Sequence, residues 1–546
     1  MTNSRTGGRI LVDNLVAQGC DRLFTVPGES FLAVLDALHD TPAIDVVTCR
    51  QEGGVAFMAC ADGALTHRPG IAFVTRGPGA TNASIGVHVA MQDSQPMILF
   101  VGDIDRGTRD REAFQEIDFA AMFAPIAKWA ARIDDAARIP EYVARAYATA
   151  INGRPGPVVL ALPEDMLLDR AEAVDRPRVD RVAQPCDPAA LDRLADLIAT
   201  AERPVAIIGG AGWDDIAAAA TADWAARTKV PLVAAFRRQD AVPNDCPAYA
   251  GNLGYGPNPR LVDRVKAADL LIVIGPRLGE ATTDGYTLVT PDHPGQTLVH
   301  VHPDPDELNR SYRADLAICA GMAEFAEALL SVDGPPGADG DAAHADYRAW
   351  SNPAPRDLPM DLGPCVAAMR DAMPRDTIIC NGAGNYSGWW HRYWPYAAPG
   401  CQLAPTAGAM GYGVPSAVAA GRRHPGRSVV ALAGDGCFLM NGQELATAVQ
   451  HGVSLLVLVI DNGTYGTIRM HQAREFPGRP IATRLANPDF AALARAYGCW
   501  ADTVERTEDF APALRRAMEQ PGVRLLHLKT DVDAITAGFT LTAIEG

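Results

Sequence analysis

The sequence lacks several features that would place it in a specialised class of protein. No apolar run in the 546 residues approaches the roughly 20 residues needed to cross a bilayer. The N-terminal residues lack the basic, apolar and small pattern of a secretion signal. The eleven cysteines show no CxxC or Cys/His ligand spacing, so we expect reduced, mostly buried thiols. These absences predict a cytoplasmic protein with no membrane association.

The sequence also has fewer basic than acidic residues. The chain has 48 Lys and Arg against 65 Asp and Glu, a formal net charge of -17. This balance disfavours nucleic acid or an anionic membrane surface as a partner. No GxGxxG opens a first βαβ unit, which argues against a nucleotide-binding dehydrogenase. What remains is a globular chain whose length suits about three domains.

What the sequence does contain is an alternation of short apolar runs and helical patterns. This alternation predicts an α/β protein with three doubly wound parallel-sheet domains. The predicted domains are residues 1–170, 186–332 and 358–546. A charged, proline-containing stretch at 167–188 and a stretch rich in Gly, Pro, Asp and Ala at 333–357 are predicted as linkers.

One βαβ unit in the third domain carries the most specific chemical pattern. An apolar run, Val429–Ala433, is followed by Gly434-Asp435-Gly436, and a second run, Leu455–Ile460, ends in Asp461-Asn462-Gly463. Both turns belong at the carboxyl edge of a parallel sheet, where such sheets bind ligands. Oxygens from Asp435, Asn462 and a nearby carbonyl, assigned to Thr464, would suit Mg²⁺. The glycines would let backbone N–H groups approach a diphosphate. Taken alone, GDG also fits an ordinary strand-to-helix turn, which is the alternative.

Together, Asp435 and Asn462, which follows 27 residues later, resemble the metal–diphosphate motif of thiamine diphosphate enzymes. That family usually has Asn-Asn where this chain has Asp461-Asn462, and its second Asn is the metal ligand. The order of the three units resembles the family's pyrimidine-binding, central and diphosphate-binding domains over essentially the whole chain. Within the family the chain is most similar to acetolactate (acetohydroxyacid) synthase large subunits. The resemblance implies thiamine diphosphate and Mg²⁺, and a homodimer or homotetramer with active sites at the subunit interface.

The resemblance also implies roles for individual residues. Glu52 matches the glutamate that contacts the cofactor's pyrimidine N1′ and promotes loss of the C2 proton, although a carboxylate favoured by the helix dipole is the simpler alternative. Gly408 and Met410 match the loop that bends the cofactor, and ordinary core packing is the alternative for Met410. The cofactor-binding positions predicted in this way are Pro27, Gly28, Glu52, Gly384, Asn385, Tyr386, Ser387, Gly408, Met410, Gly434, Asp435, Gly436, Cys437, Asn462 and Thr464.

The substrate side resembles a synthase but departs from it in places. Gln115, in Phe-Gln-Glu, and Lys128 match positions near the cofactor's reactive carbon, with an exposed polar helix start as the alternative. Glu29 stands where synthases usually have Gly, and its carboxylate could relay protons or repel an acceptor that carries a carboxylate. His471 stands where they have Trp, and it could instead be a structural hydrogen-bonding residue. The run Gly275–Glu280 replaces the flavin-contacting run, so FAD is not expected.

We therefore expect decarboxylation of a 2-oxo acid with carboligation of the acyl carbanion to a carbonyl acceptor. The expected catalytic residues are Glu52, Gln115, Glu29, Lys128 and His471. Two alternatives stay open: a simple 2-oxo acid decarboxylase that releases an aldehyde, and a catalytically silent homologue. The missing paired histidines of simple pyruvate decarboxylases favour ligation.

Overall fold

The computed structural model of the protein describes residues 4–292 and 294–545. It contains three six-stranded sheets, in each of which every strand runs parallel to its neighbours. Helices connect the strands and flank the sheets. The predicted fold class, α/β with three parallel-sheet domains, is confirmed. No helix of the described residues is long and apolar enough to cross a membrane.

The first domain contains the first sheet and a two-stranded antiparallel ribbon, β1 with β8. Its strands are β1 Arg5–Thr6, β2 Arg22–Thr25, β3 Asp45–Thr48, β4 Gly70–Val74, β5 Met97–Asp103, β6 Trp129–Arg132, β7 Pro157–Pro163 and β8 Arg170–Ala171. Its helices are α1 Gly7–Ala17, α2 Leu32–His39, α3 Glu52–Thr66, α4 Gly77–Asp93, α5 Phe119–Phe123, α6 Ile139–Ile151 and α7 Glu164–Leu168.

The second domain contains the central sheet. Its strands are β9 Pro204–Ile208, β10 Leu232–Ala234, β11 Tyr249–Asn252, β12 Leu270–Ile274, β13 Thr297–His302 and β14 Leu316–Cys319. Its helices are α8 Pro188–Thr200, α9 Asp215–Thr228, α10 Pro259–Ala267, α11 Met322–Leu329 and α12 Gly340–Trp350.

The third domain contains the third sheet. Its strands are β15 Ile378–Asn381, β16 Gln402–Leu403, β17 Val429–Gly434, β18 Leu455–Asp461, β19 Trp500–Val504 and β20 Val523–Lys529. Its helices are α13 Leu362–Ala372, α14 Ser387–Tyr393, α15 Gly413–Arg423, α16 Asp435–Asn441, α17 Glu444–Gln450, α18 Gly466–Glu475, α19 Phe490–Ala496, α20 Thr507–Met518 and α21 Leu541–Glu545.

The first and third sheets share one strand order. The first is β3-β2-β4-β5-β7-β6 and the third is β16-β15-β17-β18-β20-β19, which is the same pattern when each sheet's strands are numbered along the chain. Both orders reverse between the first and third strands of the sheet, the place where open α/β sheets bind ligands. The central sheet, β11-β10-β9-β12-β13-β14, has the order of dinucleotide-binding folds. Because a fold does not determine a ligand, the absence of FAD stays a prediction.

The central strands are continuous apolar runs. Every residue of β5, β7 and β17 is buried. Such runs are expected when helices cover both faces of a parallel sheet. By contact density the described chain forms two compact units. One comprises the first domain to Val182 with 407–425 and 439–454, and the other comprises the remaining residues.

The structure corrects one expectation of the sequence analysis. The predicted linker at 333–357 contains α12, an 11-residue helix. Its Tyr347 ring packs edge-on against Tyr249 of β11 at 4.9 Å between centroids, and Lys229 Nζ donates to Asp341 Oδ1 at 2.8 Å. The composition of the stretch suggested a linker, but an apolar contact face on one side of AAHADYRAW is sufficient for a helix that packs on the central domain.

A buried ion pair connects two helices of the first compact unit. Arg423, at the end of α15, donates to both carboxylate oxygens of Asp62 in α3, each at 2.9 Å. Its other N–H groups donate to Asp21 at 2.6 and 3.0 Å. Burial raises the pKa of Asp62, whereas Arg423 lowers it. Removing the guanidinium would leave the buried Asp62 carboxylate without hydrogen-bonded charge, because the nearest other cation, Arg22 Nη1, lies 4.0 Å from Asp62 Oδ1.

We therefore predict that Arg423→Met lowers the free energy of unfolding by about 3 kcal/mol, the usual effect of breaking a buried pair on one side. The matched control is Arg375→Met, because Arg375 pairs with Asp245 where both side chains are more than half exposed. That variant should lose under about 1 kcal/mol. Urea denaturation of the two variants measures the difference, and equal losses would contradict a special role for the buried pair.

Candidate functional site

The two polar turns singled out in the sequence lie on adjacent strands of the third sheet. Gly434 of β17 is the register partner of Ile460 of β18, so Asp435 and Asp461 follow at neighbouring positions of the same carboxyl edge. Asp435 is the first residue of α16 and is almost completely buried. GDG is therefore a strand end that passes directly into a helix.

A single amide group bridges the carboxylates at this edge. Asn487 Nδ2 donates to Asp435 Oδ2 and to Asp461 Oδ1, both at 2.7 Å. The Gly436 N–H donates to the other oxygen of Asp435 at 2.8 Å, and His527 Nε2 lies 2.8 Å from Asp461 Oδ2. Asn487 Oδ1 is buried and has no hydrogen-bond partner among the described residues. The arrangement, which we call the Asn487 bridge, fixes the orientation of both carboxylates.

The pKa values of the two carboxylates are shifted in opposite directions. It raises the pKa of Asp435 to about 6, and the neighbouring Asp461 adds to this effect. Burial also acts to raise the pKa of Asp461, but hydrogen bonds from His527 and Asn487 hold that pKa below its usual range. A cation beside Asp435 would therefore relieve an unfavourable buried charge.

The donor set at this edge fits a hard cation bound with a diphosphate. Asn462 lies at the end of β18, and its Oδ1 accepts from the Thr464 N–H at 3.2 Å. The Thr464 hydroxyl donates to the Thr483 carbonyl at 2.9 Å, which leaves the Thr464 carbonyl as its predicted metal ligand. No group of three or more His, Cys, Asp and Glu side chains suited to a metal occurs in the part of the chain that the structure describes. One carboxylate, one amide and one carbonyl, completed by phosphate oxygens, is the composition that suits Mg²⁺.

Tyrosine rings explain why the turn has glycine on both sides of Asp435. A Cβ on Gly434 would lie 2.9 Å from the Tyr386 ring, and a Cβ on Gly436 would lie 2.5 Å from the Tyr465 ring. Tyr386 belongs to the loop after β15, so the loops at the strand-order reversal of the third sheet touch each other. The Tyr386 hydroxyl accepts from the Gly382 N–H at 3.1 Å and lies 3.4 Å from Cys437 Sγ.

The rest of the predicted segment Gly384–Ser387 is held by its own contacts. Gly384 has φ +146, where an added Cβ would meet the Tyr386 ring. The Asn385 N–H and Oδ1 both bond to the Thr467 hydroxyl, at 3.1 and 3.0 Å. The Ser387 hydroxyl donates to the Gly384 carbonyl at 2.9 Å. The structure thus brings this segment to the loop of Asp435, and its role toward a diphosphate stays a prediction.

Glu52 is the first residue of α3, at the carboxyl end of β3 in the first sheet. Its Oε2 accepts from Asn82 Nδ2 of α4 at 2.9 Å, and it is half-buried. The helix is capped by its neighbour, since the Gln51 side chain accepts from the Gly54 N–H. Because Gln51 performs the capping, Glu52 is not needed for that purpose.

Pro27-Gly28-Glu29 lies at the strand-order reversal of the first sheet. A Cβ on Gly28 would come within 2.5 Å of Thr75, which follows β4, so the two loops touch closely. Glu29 is exposed, and its carboxylate lies 3.4 Å from Arg76 Nη1. Arg76 also pairs with Glu164. The predicted proton relay of Glu29 therefore competes with an ion pair that sequence analysis did not foresee.

Gln115 and Phe114 lie in the loop between β5 and α5. The Gln115 carbonyl accepts from the Gly77 N–H at 3.0 Å, which ties the loop to the start of α4. Its side-chain Oε1 is buried without a hydrogen-bond partner among the described residues. Phe114 is 72% exposed. The unpaired Gln115 oxygen next in sequence to an exposed Phe114 ring fits a position that faces a ligand.

Lys128 does not share the edge that carries Glu29, Glu52 and Gln115. It immediately precedes β6, which places it at the amino edge of the parallel sheet. Its Nζ donates to the Asn152 and Arg154 carbonyls at 2.8 and 2.7 Å, beyond the end of α6. This placement gives Lys128 a structural role, and the structure does not bring it to the other predicted catalytic residues.

The remaining predicted residues are accessible. Gly408 is exposed, has φ +69 and has open space where a Cβ would stand. Met410 is half-buried and is not a core residue, which disfavours the alternative that it serves core packing. His471 lies exposed on α18.

Comparison with known proteins gives one family match in each of the three domains. Residues 5–122 match the family model described as thiamine pyrophosphate enzyme, N-terminal TPP binding domain. Residues 191–329 match the central domain of such enzymes, and residues 382–528 match their C-terminal TPP binding domain. Thiamine pyrophosphate is another name for thiamine diphosphate. The chain belongs to the thiamine pyrophosphate enzyme family.

Curated relatives in this family carry acetolactate synthase names. The chain is 29% identical over 533 residues to the acetolactate synthase large subunit of Corynebacterium glutamicum, covering 94% of this chain and 85% of the relative. It is 29% identical over 532 residues to the acetolactate synthase isozyme 2 large subunit of Escherichia coli, covering 96% and 95%. It is 28% identical over 547 residues to acetolactate synthase of Bacillus subtilis, covering 96% and 93%. The predicted resemblance is confirmed: this is a thiamine diphosphate-dependent enzyme similar to acetolactate synthase large subunits.

The Asn487 bridge yields a direct stability prediction. Asn487→Ala removes the only N–H group that we find shared by Asp435 and Asp461 among the described residues, so the two carboxylates would repel each other. We expect the free energy of unfolding to fall by about 1–3 kcal/mol. Urea denaturation without added metal measures it. The matched control is Asp489→Asn, because Asp489 is an exposed helix cap that Asn replaces well. Equal stability of Asn487→Ala and wild type would contradict the bridge.

Proposed function

We propose that this enzyme decarboxylates a 2-oxo acid and joins the resulting acyl carbanion to a carbonyl acceptor, with thiamine diphosphate and Mg²⁺ as cofactors. The observation that carries the proposal is the placement of Asp435 and Asn462 at adjacent strand ends beside the strand-order reversal of the third sheet. Both residues lie in the region that matches the family's C-terminal TPP binding domain. The names of the curated relatives support ligation as the outcome.

In this proposal the third domain holds the charged end of the cofactor. Asp435, Asn462 and the Thr464 carbonyl bind Mg²⁺, and the cation compensates the diphosphate charge. Gly434, Gly436 and the segment 384–387 let the backbone come close to the diphosphate at the same edge. The Asn487 bridge aims the Asp435 carboxylate: Asn487 and Gly436 each donate to one of its oxygens, which leaves the second lone pair of each oxygen for the cation.

The first domain supplies the acid–base group. The cofactor, when bound, provides an electron sink for the pair of electrons left when CO₂ departs. Glu52 shares a proton with the pyrimidine N1′ and so favours loss of the C2 proton, while Asn82 orients its carboxyl group. Gln115, with its unpartnered oxygen, and the exposed Phe114 line the position of the acceptor.

The enzyme is further proposed to be at least a homodimer. In this arrangement Glu52 of one chain serves the cofactor that Asp435 of the other chain holds, as the resemblance implies. The active site is then complete only in the oligomer. The nature of the 2-oxo acid and of the acceptor is the property that the product assay below determines.

The product assay separates ligation from simple decarboxylation. Purified protein with thiamine diphosphate, Mg²⁺ and a panel of 2-oxo acids should release CO₂ and form 2-hydroxy ketone or acetohydroxy acid products, identified by mass spectrometry. Removal of Mg²⁺ by a chelator should abolish turnover, and its return should restore it. Steady release of aldehyde without ligation products would instead support the simple decarboxylase with Glu29 as proton relay.

We predict that Glu52→Gln lowers turnover and the rate of C2 proton exchange on bound thiamine diphosphate by about 10²–10⁴-fold, the usual contribution of a positioned acid–base group. The amide keeps the shape of the side chain and can still bond to Asn82, so folding and cofactor affinity should stay close to wild type. Hydrogen–deuterium exchange at C2, followed by NMR, measures the effect.

Two further samples complete this test. Glu164→Gln is the control, because it removes a carboxylate that pairs with Arg76 outside the proposed role. Mixing Glu52→Gln chains with Asp435→Asn chains under conditions of subunit exchange should restore up to one intact site per dimer. A Glu52→Gln protein that exchanges C2 at the wild-type rate would remove Glu52 from the mechanism, and an active monomer by light scattering would rule out the shared site.

A further inference from the structure

The loop that carries Gln115 has an unusual backbone. Between β5 and α5, three residues other than glycine have positive φ: Asp110 at 63°, Glu112 at 52° and Gln115 at 67°. Residues with a Cβ rarely adopt this conformation, and it persists only where the surroundings enforce it. Such strain concentrates at functional sites. The structure must therefore contain a group that holds the loop in place.

That group is the carboxylate of Glu116. Its Oε1 accepts from the Asp110 N–H at 2.8 Å, and its Oε2 accepts from the Ala113 N–H at 2.8 Å. These two backbone hydrogen bonds, which we call the Glu116 clamp, also hold the pKa of Glu116 below its usual range. Each oxygen accepts from a different N–H of the strained turn, so the carboxylate connects Asp110 with Ala113.

The clamp lies next to the residues that the proposed function uses. Gln115 immediately precedes Glu116, and its backbone is fixed on the other side by the Gly77 N–H. Its Oε1 stays buried and without a hydrogen-bond partner among the described residues, which is unfavourable unless a ligand supplies a donor. Phe114, which is 72% exposed, lies in the sequence between Ala113, whose N–H the clamp binds, and Gln115. The strained backbone and the unpaired buried oxygen of Gln115 are both unfavourable, and they occur where the loop exposes the Phe114 ring.

We propose that Glu116 is a positioning residue for carboligation: it closes the strained loop so that Gln115 and Phe114 are held at the acceptor position. The proposal rests on the proposed function for its catalytic part. Its physical content is that Glu116 acts through Gln115 and touches no reacting atom. Loss of the clamp lets the loop relax to ordinary backbone conformations, and the Gln115 amide then turns away from the acceptor.

The first test measures the clamp without reference to activity. In Glu116→Gln one accepting oxygen becomes an amide NH₂ that cannot accept, so one loop N–H loses its partner. Hydrogen–deuterium exchange with mass spectrometry should show the 109–118 amides exchanging about tenfold faster, as for loss of one charge-assisted hydrogen bond. Asp118→Asn is the matched control, because Asp118 is an exposed cap of α5 and Asn is an equally good cap. Equal exchange in all three proteins overturns the clamp.

The second test is a double-mutant cycle on ligation. Glu116→Gln should lower the rate of ligation by about tenfold to hundredfold, as for displaced positioning groups. The Kd for thiamine diphosphate and the melting temperature should stay at wild-type values. In a Gln115→Ala background the same change should have no further effect. Additive losses, or wild-type ligation in Glu116→Gln, overturn the proposal.

The two tests also separate this inference from the proposed function. A wild-type protein that forms no ligation product overturns the proposed function, and with it the catalytic part of the inference. The exchange measurement does not depend on turnover, and it decides separately whether Glu116 holds the loop.

Discussion

The candidate site depends on how two carboxylates are kept at neighbouring strand ends. Asp435 and Asp461 follow paired positions of β17 and β18, where parallel pairing brings them together, and like charges at such a place repel. The Asn487 amide donates to both carboxylates at 2.7 Å, and His527 Nε2 lies 2.8 Å from Asp461. These contacts reduce the repulsion between the two carboxylates. Burial and the neighbouring Asp461 still raise the pKa of Asp435, so a cation beside this carboxylate would relieve an unfavourable charge. One interaction network thus links the stability of the third sheet to its proposed chemistry.

The same strand order in the first and third sheets places two sets of loops at equivalent reversals. In each sheet a glycine permits the loops to touch: Gly28 against Thr75 in the first, and Gly434 against Tyr386 in the third. In the proposed function the first sheet supplies Glu52 as the acid–base group, whereas the third sheet supplies Asp435 as a ligand of the cation. The proposal thus divides proton transfer and charge compensation between two sheets of the same strand order.

Sequence reasoning succeeded where periodicity and strand direction determine the outcome. The adjacency of Asp435 and Asn462 follows from two apolar runs in a parallel sheet. Asn487 was missed because it lies 52 residues from Asp435 in a short polar segment, and only tertiary contact brings it to the edge. The opposite edge of Lys128 could have been inferred, because it precedes an apolar run instead of following one. The Glu116 clamp depends on backbone conformations that no residue pattern in the loop announces.

We expect the carboxyl edge of the third sheet to bind a divalent cation together with a diphosphate. The most direct measurement is anomalous diffraction from crystals grown with thiamine diphosphate and Mn²⁺ in place of Mg²⁺. We expect one strong manganese peak per chain in contact with Asp435, Asn462 and the Thr464 carbonyl, with diphosphate oxygens completing the coordination. A cofactor bound in those crystals with its manganese held by other residues, or with no manganese at that edge, would contradict the account.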